Sequence, residues 1–193
     1  MNDNDVTIII ATFGDSSWRS VAMRAAASAS NQTVPAKNVI RIHEDTLQNA
    51  RNFGAKMAES EWLIFLDADD ELDDSYVEAM LAGEGDIRRP ATLGVVNGVE
   101  DDEPVMIPQT DMNVSNCIVI GAMCRRDQFL DVGGFRDYPC LEDWALWRDL
   151  IANGATVGEV PDAIYRVHVN PDSRNTNVDL HSKVYRQIRK TRI

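Results

Sequence analysis

The sequence is poor in several features that would each point to a particular class of protein. No apolar run approaches the roughly 20 residues that span a bilayer, and the start, Met1-Asn2-Asp3-Asn4-Asp5, lacks the basic residues of a signal peptide. The three cysteines, Cys117, Cys124 and Cys140, include no CxxC pair. We therefore expect a cytoplasmic protein without a membrane span, a disulfide framework or a zinc site.

Basic residues are also scarce, and their distribution is uneven. The chain has 19 Lys and Arg against 31 Asp and Glu, a formal net charge of -12, so nonspecific nucleic-acid binding over the whole surface is not expected. Seven of the basic residues lie from Arg166 onward. We expect residues 171–193 to form a basic helical tail that either docks on the acidic body or contacts an anionic partner.

Apolar strands alternate with helical segments along the first part of the chain. This order is typical of an α/β fold with right-handed crossovers and a mostly parallel sheet, and 193 residues suit one domain. The predicted strands or extended segments are 6–12, 38–43, 62–66, 92–99, 105–107, 117–122, 156–160 and 163–168. The predicted helices are 18–30, 46–59, 75–81, 125–132 and 142–152.

One strand ends in a run of acids. Trp62–Leu66 is apolar throughout and leads directly into Asp67-Ala68-Asp69-Asp70. Ligands of open α/β sheets bind at the carboxyl ends of strands. Asp67 and Asp69 lie two residues apart, so their carboxylates could face the same way and share a divalent cation, Mg²⁺ or Mn²⁺. The alternative is an acidic loop that caps the next helix.

The order of motifs along the chain resembles a known family. The motifs are Ala11-Thr12-Phe13, Gln48–Asn52, Phe65–Asp70, Phe129–Phe135, Glu142–Trp147 and Tyr165–His168. Over residues 6–170 this order is similar to that of family 2 glycosyltransferases with the A-type (GT-A) nucleotide-sugar fold.

The resemblance implies a fold and its organisation. The fold is a single-domain, GT-A-like α/β fold, with a Rossmann-like, mostly parallel central sheet flanked by helices and a short C-terminal helix. Residues 1–170 would form the glycosyltransferase domain, with a nucleotide-binding half at about 1–90 and an acceptor half at about 91–170. A processive polysaccharide synthase is not expected, because the sequence contains no membrane helices and no large acceptor domain.

The resemblance also implies a metal-dependent donor site with Mn²⁺ or Mg²⁺. Asp69, the last residue of the DXD motif, would bind the metal directly, and Asp67 would contact the ribose or the metal. His168 would complete the metal shell, although a histidine at such a position is often structural.

Four further residues match family positions near the nucleotide, for which a UDP-linked sugar is the implied donor. Thr12 and Phe13 would pack on the base, Asp45 would read the base, and Arg51 would lie near the nucleotide. Arg51 could instead be an arginine on the helix surface. The chain departs from the family pattern after Asp45, where the usual Asp-Gly-Ser-Thr-Asp stretch is absent. This shortened loop bears on the role of Asp45 and on the identity of the base.

On the acceptor side, the resemblance implies that Asp143 is the catalytic base. It would take a proton from the acceptor hydroxyl in a direct, inverting displacement, while Glu142 and Trp144 would shape the acceptor site. Without the resemblance, Asp143 would be read as an ordinary acid at a helix N-terminus.

Other functions and several partners stay open. A saccharide, a protein hydroxyl and a modified nucleobase are all possible acceptors, and the oligomeric state is not indicated. The rival functions are a catalytically silent nucleotide-sugar-binding module and a related nucleotidyltransferase. The nucleotidyltransferase would need a loop rich in glycine and lysine after the first strand, and residues 13–19 contain one glycine and no lysine.

Overall fold

Apolar, β-branched segments form the centre of a single sheet in the computed structural model, which describes residues 5–169 and 178–190. The strands are β1 (Val6–Phe13), β2 (Asn38–Glu44), β3 (Trp62–Asp67), β4 (Glu71–Leu72), β5 (Ile87–Val96), β6 (Val99–Glu100), β7 (Met123–Arg125) and β8 (Val157–His168). The helices are α1 (Trp18–Ser30), α2 (Leu47–Met57), α3 (Tyr76–Ala82), α4 (Arg126–Asp131), α5 (Glu142–Ala152) and α6 (Val178–Lys190).

The strand order is β2-β1-β3-β7-β5-β8-β4, with β6 added to β5. The long pairings, of β1 with β2 and β3 and of β5 with β8, are parallel, and the antiparallel pairings involve only two or three residue pairs each. The expectation of a mostly parallel sheet flanked by helices and followed by a C-terminal helix is therefore confirmed.

Helices cover both faces of the sheet around β1. Ile9 of β1 faces Gly54 of α2, while its neighbour Ile10 lies with Ala22 of α1 in the wall of one cavity. Successive strand residues point to opposite faces, so α1 and α2 lie on opposite sides of the sheet. β1 and β3 are covered on both faces and accordingly consist mostly of apolar residues, with every residue buried except the last of each strand.

The carboxyl ends of the three N-terminal parallel strands meet at one edge of the sheet. Ala11 of β1 pairs with Asp67 of β3, and Thr12 pairs with His43 of β2. The acidic strand end and the segment after β1 are therefore neighbours, as the sequence predicts.

The middle of the chain differs from expectation. The predicted strand at 117–122 is wrong: these residues are buried but irregular, and the strand β7 begins only at Met123. The reason is local, because the side chain of Asn116 accepts a hydrogen bond from the backbone N–H of Ile118, and Ala122 N–H closes a turn onto Val119 O. The predicted strand at 105–107 is reduced to a single bridge between Thr92 and Val105. The two predicted final segments form one strand, β8, with an irregular register.

The C-terminal helix α6 packs on α5. The Tyr185 ring of α6 stacks on Trp144 with centroids 5.1 Å apart, and Arg148 of α5 donates a hydrogen bond to Ile188 O. Within residues 5–169 and 178–190, no helix is both long and apolar enough to cross a membrane.

The close approach of α2 to β1 leads to a first prediction. A Cβ built on Gly54 would lie 2.7 Å from Cγ2 of Ile9. Alanine normally favours a helix over glycine by about 1 kcal/mol. Here we expect Gly54→Ala to lower the free energy of unfolding by about 1–3 kcal/mol, because the stiff side chain of Ile9 cannot move aside. Urea denaturation is the measurement. Lys56→Ala, at an exposed position of the same helix, should change stability by less than about 0.5 kcal/mol. A stabilising Gly54→Ala would contradict the close packing.

Candidate active site

Three carboxylates converge where β3 ends. One oxygen from each of Asp67, Asp69 and Asp70 lies within 4.8 Å of the others, and the Asp70 N–H donates to Asp67 O at 3.1 Å to close the turn between them. Burial and the neighbouring charge of Asp67 raise the pKa of Asp69 and raise that of Asp70 well above its usual range. Like charges held this close favour a hard divalent cation with oxygen ligands.

Strand β8 holds this turn in place. The hydroxyl of Tyr165 accepts the N–H of Asp67 at 3.2 Å and also hydrogen-bonds to the carboxyl of Asp70. The backbone N–H of His168 donates to Asp70 Oδ1 at 2.8 Å. Asp70 is therefore anchored to the sheet, whereas Asp67 and Asp69 are both partly exposed.

The imidazole of His168 faces a different acid. Its Nε2 lies 2.6 Å from Glu71 Oε1, and Glu71 also pairs with Arg24 at 3.3 Å. Arg24 in turn donates to Asp69 O at 2.8 Å, so the ring lies at the border of the acidic cluster. His168 does not belong to the group of three carboxylates within 4.8 Å, and its role as a metal ligand stays a prediction.

Arg51 joins the acidic strand end to helix α5. Its Nη2 lies 2.5 Å from Asp67 Oδ1, and its Nη1 lies 2.8 Å from Glu142 Oε1. The guanidinium also lies 5.0 Å from the centre of the Phe135 ring. The side chain is only 2% exposed, so the alternative of an arginine on the helix surface is wrong. Its contact with a nucleotide stays a prediction.

Asp143 lies beside this network, on the first turn of α5. Its Oδ2 accepts a hydrogen bond from Asn116 Nδ2 at 2.8 Å. Burial and the charge of Glu142 raise its pKa to about 7, and the charge of Asp67 adds to the effect, while Arg51 opposes it. A carboxyl group with such a pKa can exchange a proton near neutral pH, which is what a general base requires.

The backbone before α5 is strained. Leu141 has φ 58° and ψ 21°, the left-handed conformation, which is unusual for a branched non-glycine residue. Strain of this kind costs about 1–3 kcal/mol and persists only where the surroundings enforce it. The turn at Leu141 places Glu142 and Asp143 at the start of the helix.

The side chains of the two predicted acceptor-binding residues, Glu142 and Trp144, are buried. Trp144 is 1% exposed, its indole N–H donates to Met112 O at 2.9 Å, and Tyr185 covers its face. Glu142 is 5% exposed and held by Arg51. Both residues support the site from within, and their direct contact with an acceptor stays a prediction.

The predicted base-binding residues divide into two groups. Thr12 lines a cavity of about 390 Å³ together with His43, Arg41 and Arg19, and its Oγ1 lies 2.9 Å from His43 Nδ1. Asp45 does not line this cavity. It is exposed and accepts a hydrogen bond from Asn49 at 2.9 Å, and that bond lowers its pKa.

Phe13 lies on the other side of β1 from this cavity. It is partly buried and packs with Ala11 of β1 and with Leu47 and Ala50 in the first turn of α2. Its contact with a base stays a prediction.

Sequence reasoning missed three contributors to the site. Asp70 was not among the predicted metal ligands, yet its carboxylate belongs to the acidic cluster. Tyr165 was noted only as part of the motif Tyr165–His168 and Asn116 not at all, because the partners of these two side chains lie 98 and 27 residues away along the chain. The only sequence feature that pointed to Asp70 as part of the cluster was its position directly after the DXD motif.

A family model and several solved structures resemble this chain. A family model described as Glycosyl transferase family 2 matches residues 6–136. Comparison with curated proteins gives no match.

Solved structures of S. aureus TarS share the fold. TarS 1-349 in complex with UDP-GlcNAc aligns with a TM-score of 0.71 at 15% identity, covering 95% of this chain and 65% of that chain. TarS 1-349 in complex with UDP gives a TM-score of 0.67 at 16% identity and covers 95% and 64%. A further TarS structure gives 0.67 at 17% identity and covers 95% and 38%. The chain thus spans less than two thirds of each TarS chain, and at this identity the likeness shows the fold alone. The expected A-type fold is confirmed.

The raised pKa of Asp143 predicts a pH-dependent cost to stability. The carboxyl group of Asp143 has its ordinary pKa of 3.8 in the unfolded chain and a pKa of about 7 in the folded chain. The folded chain therefore binds this proton more tightly, and the free energy of unfolding falls as the pH rises from about 4 to 7. Asp143→Asn removes the titration. We expect the variant to be about 2–4 kcal/mol more stable than the wild type at pH 8, the lower figure allowing for partial exposure, and little different at pH 4.

Urea denaturation at the two pH values measures this difference. Asp102→Asn, at an exposed position, serves as the control and should show no such pH dependence. A variant that is equally stabilised, or not stabilised, at both pH values would show that Asp143 ionises normally.

Proposed function

The chain belongs to glycosyl transferase family 2, and we propose that it moves a sugar from a nucleoside diphosphate sugar, with UDP as the nucleotide, to a hydroxyl of a saccharide or protein. The observation that carries the proposal is the position of Asp143. A carboxyl group with a pKa raised to about 7 stands next to an arginine that holds the acidic strand end. The TarS structures in complex with UDP-GlcNAc and UDP support a UDP-linked donor.

The donor's base would occupy the cavity beside Thr12. The polar groups in its wall are mostly hydrogen-bond donors, namely the guanidinium groups of Arg19 and Arg41 with the hydroxyl of Thr12 and the ring of His43. Such a wall suits the carbonyl oxygens of a pyrimidine and the negative charge of the nucleotide. Asp45 lies outside the cavity wall, and the base-reading role proposed for it now rests on the family resemblance alone.

The diphosphate would lie at the acidic strand end. Asp67 and Asp69 have the exposure and the oxygen atoms to hold Mn²⁺ or Mg²⁺, with Asp70 behind them and His168 at the border. When bound, the divalent ion would supply positive charge against the departing diphosphate. The raised pKa of Asp69 fits this role, because a carboxyl group crowded by like charge is relieved by a cation.

The transfer itself would be a direct displacement with inversion at the anomeric carbon. Asp143 takes the proton from the acceptor hydroxyl as that oxygen forms its bond to the anomeric carbon. The bond between this carbon and the diphosphate oxygen breaks, and its electron pair leaves with the nucleoside diphosphate. Arg51 fixes Asp67 and Glu142 on either side of this centre, so donor and base keep their separation during the step.

The test is the release of UDP from a panel of UDP-sugars in the presence of Mn²⁺. Asp143 must be ionised to act, so we expect kcat/KM to fall about tenfold per pH unit below about 7 and to level off above it. Asp143→Asn should lower kcat by about 10²–10⁴-fold while the affinity for UDP stays unchanged.

Other outcomes would identify the rival functions. If UDP binds but the wild type and Asp143→Asn are equally inactive, the chain is a binding module. Release of pyrophosphate from a nucleoside triphosphate would instead indicate a nucleotidyltransferase. An unchanged pH profile in Asp143→Asn would remove Asp143 from the role of base.

The metal assignment leads to a separate prediction. Asp69→Asn removes one charged oxygen from the cluster, and we expect the Mn²⁺-dependent increase in UDP affinity to fall by at least tenfold. Isothermal titration of UDP with and without Mn²⁺ measures this. Asp74→Asn, at an exposed position a few residues further on, should leave the increase intact. If Asp69→Asn and wild type respond equally to Mn²⁺, Asp69 is not a ligand.

A further inference from the structure

Asn116 is the one uncharged side chain with a direct hydrogen bond to the Asp143 carboxylate among the described residues. Its amide is fixed at both ends. The oxygen Oδ1 accepts the N–H of Ile118 at 3.1 Å, so the Nδ2 group is turned toward Asp143 Oδ2 at 2.8 Å. The amide orientation therefore follows from two independent contacts, because the reversed orientation would set a donor against a donor and an acceptor against a carboxylate.

Resting on the proposed function, we propose that Asn116 is the positioning residue of the general base. It holds Oδ2 of Asp143 and directs the other oxygen, Oδ1, toward the acceptor's proton. It also stabilises the ionised carboxylate, since a donor can bond the charged form more strongly than the protonated one.

The charges around Asp143 make this contact necessary. Glu142 on the same helix and Asp67 on β3 both disfavour ionisation of Asp143, and Arg51 on α2 is shared between these two acids. Among residues 5–169 and 178–190, the N–H of Trp144 and the amide of Asn116 are neutral donors to this carboxylate. Without Asn116, burial and the two acids would favour the protonated form further.

A second asparagine, Asn113, provides a control that distinguishes this positioning role from packing of the loop. Asn113 lies in the same irregular segment and also contacts α5, where its Oδ1 accepts from Arg148 Nη2 at 3.1 Å. Its side chain makes no hydrogen bond to Asp143, whose side-chain partner is Asn116. Asn113→Ala therefore disturbs the attachment of the segment to α5 while the amide that faces Asp143 is retained.

The experiment compares the wild type, Asn116→Ala and Asn113→Ala as full chains. The first measurement is the pKa of Asp143 from ¹³C NMR titration of its carboxyl carbon. The second is the pH profile of UDP release from UDP-GlcNAc with Mn²⁺, and the third is the affinity for UDP. We expect Asn116→Ala to raise the pKa of Asp143 by about one unit and to shift the acid limb of the profile equally. Activity should then fall about fivefold at pH 7 and recover at pH 9, with UDP affinity unchanged.

A second variant controls for the possibility that Asn116→Ala misfolds. Asn116→Asp keeps the size of the side chain and the acceptor for Ile118, but replaces the donor by a second negative charge. It should raise the pKa of Asp143 by more than Asn116→Ala does.

Two results would overturn the proposal. Either both Asn116 variants leave the pKa of Asp143 unchanged, or Asn113→Ala shifts it as far as they do. If the wild type releases UDP from no UDP-sugar, the proposed function fails. The NMR titration still decides in that case whether Asn116 sets the acidity of Asp143.

Discussion

Arg51 places a positive charge in a region that contains the carboxyl groups of five residues, namely Asp67, Asp69, Asp70, Glu142 and Asp143. Its two ion pairs join Asp67, at the end of β3, to Glu142, 91 residues from Arg51 at the start of α5. Removing one partner of a buried ion pair typically costs about 3–5 kcal/mol, because the other charge is left without compensation. The two ends of the site, which would hold donor and acceptor, therefore depend on one guanidinium for their separation and orientation. This explains why the arginine is buried although it lies on a helix near the edge of the sheet.

One arginine does not balance the charge of this region, and the excess appears in the pKa values. The pKa values of Asp69, Asp70 and Asp143 are all raised, with burial as the largest cause and neighbouring carboxylates adding to it. A fold selected for stability alone would not keep three acids in this state. Under the proposed function, a bound cation would relieve the crowding at Asp69 and Asp70, and the crowding at Asp143 would give a base that works near neutral pH. The same physical cause would then serve binding at one end of the site and proton transfer at the other.

Local sequence patterns correctly predicted the strands and helices whose pattern of burial is regular along their whole length. The apolar runs of β1 and β3 and the bounds of α5, Glu142–Ala152, agree with the structure because burial and periodicity act over the whole element. The run at 117–122 failed for the opposite reason. Its residues are apolar because they are buried, but side-chain and turn hydrogen bonds satisfy their backbone instead of a neighbouring strand. An apolar run indicates burial, and it indicates a strand only when a partner strand is available.

The same distinction limits what could be predicted of the site. The DXD acids and the Glu142-Asp143 pair lie in short motifs, whereas the burial of Arg51 and the contact of Asn116 arise from segments brought together by the fold. Leu141 shows the limit most clearly, since leucine has no preference for the left-handed conformation that it adopts. The ion pair of Glu142 with Arg51 and the hydrogen bond from Trp144 to Met112 O fix the helix just after it. The backbone at Leu141 must accommodate a helix start already determined by these long-range contacts, and no pattern within a few residues of it could have indicated that.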